Sequence, residues 1–196
     1  MKNKKTAVGS FRKKRKKLQC IETFFQTHDL VTAKQMLSSI MQYAVNGKDW
    51  LKKDPSVILQ FHQSLRIFIR EGYMISKNTK KWQVNAAPEI SSPMMKGALS
   101  DKEYENPLLV FKRAFKEYSI QEYDYFISGI VYFSQEMYRY GPESNLVRPY
   151  IHLSKMLDAA YLMLERGVQK NNKKDKMDSS ILDWNLARFI NINILK

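Results

Sequence analysis

The side chains in this sequence best placed to do chemistry are cations. Arg12, Lys13, Lys14, Arg15, Lys16 and Lys17 stand consecutively, and six like charges in a row repel one another unless an anion lies among them. Phosphate is the natural counter-group, so the run is expected to contact nucleic acid, RNA or DNA, or an anionic membrane surface. A solvated tail that aids solubility is the plainer alternative. Nine of the 33 Lys/Arg and none of the 19 Asp/Glu fall within residues 1–17, which leaves 24 basic against 19 acidic residues beyond them, a net +5. The charge of +14 is therefore concentrated in an N-terminal arm.

Groups suited to catalysis are sparse. His28, His62 and His152 fall in different predicted elements at none of the spacings that hold zinc, so neither a metal site nor a cofactor is expected. The lone Cys20 excludes an intramolecular disulfide and reads as a buried, inert thiol. Phosphate-binding glycine loops and the nucleophile elbow are missing, so no catalytic residue is assigned and a non-enzyme is expected. One pair deserves weighing. Arg148 and His152 open a predicted helix as R-P-Y-I-H, where a histidine can serve acid–base catalysis and an arginine can stabilise phosphate charge. The pair is similar in kind to the helical HEPN ribonucleases, in which four to six residues separate an arginine from a histidine. Here the gap is three and Pro149 follows the arginine, a departure that withholds membership. Metal-independent RNA cleavage is kept as a third function, behind His152 as a core-flanking residue and Arg148 as a solvated one.

Three further groups carry a binding chemistry. Tyr125, Tyr132 and Arg139 recur every seven residues on the polar side of an amphipathic helix, and Tyr and Arg are enriched at interface hot spots. Packing of that helix against neighbours on two sides, each hydroxyl finding a partner, is the favoured explanation. Lys77, Lys80 and Lys81 precede Trp82, the mixture of charge and stacking face found in single-stranded nucleic-acid sites; a tryptophan pinning its loop to the core is the bland reading. Arg66 and Arg70, four apart, are expected to be solvated rather than a phosphate clamp.

The elements that must position these groups are helical. Asn106–Gly141 holds two amphipathic segments, opened by Asn106-Pro107 and by a capping box at Ser119 and Glu122, and stopped by Gly141-Pro142. Further helices are expected over 11–27, over 31–46 with Thr32 and Gln35 as a capping box, from Asp54-Pro55 to near Gly72, and over 149–168, with a last segment through Trp184. Asp101, Glu103 and Glu105 read as acids favouring the helix start that follows them. Seven glycines and six prolines are too few for many short strands, and 44% hydrophobic content excludes a disordered chain.

The expected fold is all-α: an irregular bundle of about six helices, with residues 1–17 a basic arm, 18–168 the helical domain including a loop over 76–100, and 169–196 a polar linker and C-terminal segment. The expected function is non-enzymatic association with nucleic acid through the arm, with the helical body contacting a partner. A protein–protein adaptor using Tyr125, Tyr132 and Arg139, with a protein partner or a second copy, is the alternative. No apolar run reaches the ~18 residues of a membrane span and no apolar segment follows the basic start as in a signal peptide. A cytoplasmic protein is expected, or a nuclear one if the source is eukaryotic.

Overall fold

The computed structural model describes residues 18–46, 54–87, 96–135 and 146–171. Among these, seven α-helices and one short strand pair form an all-α bundle. The helices are α1 (Gln19–Thr27), α2 (Leu30–Asn46), α3 (Pro55–Asn78), α4 (Asp101–Glu105), α5 (Leu108–Glu117), α6 (Ile120–Ser134) and α7 (Val147–Arg166). Strands β1 (Trp82–Val84) and β2 (Val168–Lys170) pair antiparallel.

Local chemistry sets most of the starts. Asp54 caps α3 by accepting from Ser56 N–H at 2.9 Å, with Pro55 in the first turn. Ser119 and Glu122 form the reciprocal capping box of α6. Three start signals differ from expectation. Asn106 gives no side-chain cap to α5, which begins beyond Pro107 with no side-chain cap at all. Asp29 caps α2, accepting from the N–H and hydroxyl of Thr32 at 2.9 and 2.6 Å, so Thr32 lies inside the helix it was expected to open. A second capping box, Ser100 with Glu103, starts the extra helix α4. The carboxylate a turn ahead of α5 is thereby spent on a helix of its own.

Gly72 does not stop α3. The helix runs on to Asn78, followed by a 3-10 turn over Thr79–Lys81 and then β1, so the expected 76–100 loop is ordered structure through Val84. A Cβ on Gly72 would sit 3.1 Å from Phe111 Cδ1 and 3.3 Å from Phe115 Cε2. The glycine serves close helix packing rather than a turn.

The core follows from the apolar arcs. Ile21, Phe61, Phe68, Phe111, Tyr123, Ile127 and Leu153 are all essentially inaccessible to solvent. Helix α3 receives α1, α5 and α6; α6 also meets α2, and α7 closes against α2 and α5. The expected centre, α6, thus shares that role with α3. The contacts of α6 use its apolar arc and the edges beside it, and Tyr125 on the outer side is 79% exposed.

Candidate nucleic-acid interface

Ring contacts orient the helices at one end of the bundle. Phe24 lies 5.0 Å from Phe68 and His28 lies 5.3 Å from Phe61, so α1 runs antiparallel to α3. The start of α1 therefore sits beside the last turns of α3, where burial and then the charge of Glu71 raise the Cys20 thiol pKa. Phe25 stacks edge-on against Tyr161 at 5.6 Å, and the pairing of Trp82–Val84 with Val168–Lys170 brings the end of α7 beside the end of α3.

Two basic stretches meet there, at the end where the described chain begins. Arg12–Lys17 end one residue before Leu18, at the start of α1; their own positions lie outside the described residues. Lys77, Lys80 and Lys81 occupy the exposed end of α3 and the turn after it. Lys170 follows α7 and Gly167, paired across the strands with Trp82, and Asn171 N–H donates to the Lys81 carbonyl at 2.9 Å. In sequence Lys173, Lys174 and Lys176 come next. Among the described residues no carboxylate lies within ion-pair distance of Lys77, Lys80, Lys81 or Lys170. The ammonium of Lys77 lies 4.9 Å from the Tyr73 ring, a cation–π contact that leaves its charge uncompensated. Trp82 is half-buried against the core, so the indole anchors this end. Arg166 is consumed internally, donating to the Tyr104 carbonyl at 2.7 Å and lying over that ring at 4.1 Å.

The remaining candidates are dispersed. Arg139 lies outside the described residues. Tyr132 is half-buried on the side of α6 that faces Arg66, whereas Tyr125 projects into solvent. Arg66, expected to be solvated, forms a two-pronged pair with Asp124 at 3.1 and 2.9 Å, joined by Arg70 at 3.9 Å. The Arg66 bonds hold the Asp124 carboxyl below its usual pKa. Beside them His62 Nε2 and Ser128 Oγ are 3.2 Å apart. Arg148 and His152 do meet, but on Glu117: His152 Nε2 is 2.9 Å from Oε2 and Arg148 Nη1 donates to Oε1 at 3.3 Å. The bond to His152 is the first reason the Glu117 pKa is lowered. This carboxylate occupies one imidazole nitrogen and one guanidinium N–H, and ties the end of α5 to the start of α7.

Two buried carboxylates do structural work that the sequence hid. Asp158, 4% exposed, accepts from Lys34 Nζ at 2.7 Å and from Ala98 N–H at 2.8 Å. Glu103, 3% exposed, accepts from Lys155 and Arg113, each at 2.8 Å. Nothing local marks Asp158 as buried. For Glu103 the only local sign is the S-x-x-E spacing with Ser100, which marks a capping box and not burial.

His28 supplies a pH dependence. Its ring packs against Phe24 and Phe61, and its Nε2 is buried without a hydrogen-bond partner among the described residues. Burial lowers its pKa, opposed by the charge of Asp29; burial and then Arg66 lower that of His62. The unfolded chain takes up these protons near pH 6.5 while the folded chain resists them. Stability should therefore be full above about pH 6.5 and fall as the pH drops below it. Urea midpoints at pH 7.5 and 5.5 measure this. His28→Leu should reduce the drop between them, and an unchanged drop would contradict the assignment.

Among the described residues no cluster of three or more His, Cys, Asp or Glu is arranged to hold a metal, and no helix is long and apolar enough to cross a membrane. No protein-family model, curated protein or solved structure matches the chain.

Proposed function

We propose that this protein is a non-enzymatic, nucleic-acid-associated binding protein that grips phosphates with one end of its helical bundle. The observation that carries this is the meeting of the arm's attachment point with Lys77, Lys80, Lys81 and Lys170, side chains with no acidic partner within reach among the described residues. Gathering like charges from stretches so far apart in sequence raises the energy of the fold unless a polyanion shares the surface. Lysine contacts of this kind neutralise phosphates without reading bases, so binding should be strongly salt-dependent and weakly sequence-specific.

Fluorescence anisotropy of mixed-sequence single-stranded RNA and DNA against the full chain, from ~50 to ~200 mM salt, tests this. Combining Lys77→Glu, Lys81→Glu and Lys170→Glu should weaken binding by about tenfold or more and flatten the salt slope by about 2, at ~0.7 per lost single-strand contact. Deleting residues 1–17 should flatten it further. Unchanged affinity for both nucleic acids at low salt in both variants would remove the proposal.

The adaptor function keeps one specific support, the 79% exposure of Tyr125 beside the Arg66–Asp124 pair.

A further inference from the structure

A second surface, away from the basic end, has a different character. Leu59, Gln63, Ile67, Arg70 and Met74 follow one another at steps of four, four, three and four residues, the spacing of a single helix face. Leu59 is 50% exposed, and Ile67 and Met74 are each 54% exposed. At 1.5 Å per residue the row from Leu59 to Met74 is about 22 Å long, four turns of helix. Arg66, 40% exposed, flanks it, and Arg70, within it, is 61% exposed. Tyr125, on the neighbouring α6, follows Asp124, the residue to which both arginines turn. Aromatic, Met and Arg side chains around exposed aliphatic ones are the composition of interface cores rather than of ordinary surface.

We propose that this outer face of α3, with Tyr125 at its edge, docks an amphipathic helix of a partner protein that carries acidic residues beside its apolar stripe. Charge selects this occupant. Two arginines face one aspartate here, and Glu71 lies on the opposite, α1-facing edge of α3. An acidic helix completes that balance, with its carboxylates taking the guanidinium N–H groups that Asp124 leaves unused. A second copy laid across the row by a two-fold axis near its middle would set Arg66 and Arg70 against their own copies. The chain's basic arm would be repelled in the same way. The row matches the helix-in-groove mode of recognition, in which apolar anchors recur on one side of the bound helix.

The test uses the full chain and two labelled synthetic peptides of four to five helical turns. They share one leucine stripe and differ only in flanking residues, glutamate in one and lysine in the other. The glutamate peptide should bind saturably and at least tenfold more tightly than the lysine peptide. Ile67→Asp should weaken it at least tenfold, Met74→Lys should act in the same direction, and Arg70→Glu should invert the preference. Positions 67 and 74 are exposed apolar side chains, so circular dichroism melts of those two variants should stay unchanged. Reversing Lys77 and Lys81 should leave peptide binding as it was, whereas that change tests the phosphate-binding end. Equal affinity for the two peptides overturns the proposal, as does binding indifferent to Ile67→Asp and Met74→Lys. Loss of binding on reversing Lys77 and Lys81 alone would assign the attraction to the basic end and overturn it too. A photoreactive residue at position 67 that cross-links to this same chain, within one molecule or between two, would assign the face to the chain's own segments or to a second copy, and equally overturns it.

Discussion

Gly97→Ala should destabilise the bundle by about 3 kcal/mol, although it adds one methyl group to a surface-facing segment. Gly97 has φ 55°, and a Cβ there would stand 2.5 Å from Oδ2 of Asp158. The left-handed conformation costs a non-glycine residue about 1 kcal/mol. The rest comes from the aspartate, which cannot retreat without giving up Lys34 and the Ala98 N–H. Displacing a buried carboxylate from its partners costs about 2 kcal/mol or more, discounted here because Lys34 is one-third exposed. Asp158→Ala should itself be destabilising, since it strands the Ala98 N–H and the Lys34 ammonium. In the Asp158→Ala background, however, Gly97→Ala should cost only its backbone share. Urea unfolding of the four proteins of this cycle reads the coupling directly. Additive effects would show that the methyl group finds room without moving Asp158.

The second large effect lies at Glu103. Burial alone would raise its pKa, but Lys155, the N–H and hydroxyl of Ser100, and Arg113 together outweigh burial and bring the carboxyl down to about 2. A folded-state value below that of the unfolded chain means stability fully present above about pH 4.5 and lost as the pH falls toward 2. At about 1.4 kcal/mol per unit, the interaction is worth on the order of 3 kcal/mol at neutral pH. Glu103→Gln keeps the shape and removes the charge. It should cost about 2–3 kcal/mol at pH 7, and its deficit against the unmodified protein should shrink steadily below pH 4.5. A deficit that stays constant from pH 7 to pH 3 would mean that packing, not charge, is the contribution of Glu103. The result also bears on the fold, because Glu103 caps α4 and pins it to α5 and α7 at once.

The outcome at individual residues separates what is local from what is not. The Ser119–Glu122 box and the Asp54-Pro55 start were readable because both partners of each bond lie within four residues. The apolar arcs of α3, α5, α6 and α7 were readable because a helix repeats its core side every three or four residues. Thr32 does not open its helix because Asp29, one turn earlier, accepts from the Thr32 N–H and hydroxyl and so caps the helix ahead of it. Gly72 does not end its helix, and a glycine that admits an aromatic ring and a glycine that ends a helix are the same letter. The two rings, Phe111 and Phe115, lie some forty residues further along the chain.

The same division holds for the candidate sites. The basic character of Arg12–Lys17 and of Lys77–Lys81 was plain in the sequence, and Lys170 stood in a stretch read as a linker. That Lys77–Lys81 and Lys170 come to one end of the bundle, beside the start of α1, was not plain. It follows from Phe24 on Phe68 and from the pairing of Trp82 with Lys170, segments more than forty residues apart. The sequence by itself determined an all-α chain, where most of its helices begin and which side of each is apolar. Capping and amphipathic periodicity act over a single turn, so they survive in the order of the letters. Only the tertiary structure decided that Arg66 faces Asp124, that Asp158 and Glu103 are buried among cations, and that the lysines share one end. Those outcomes depend on which helices pack side by side, a competition among apolar faces that no single stretch of sequence records.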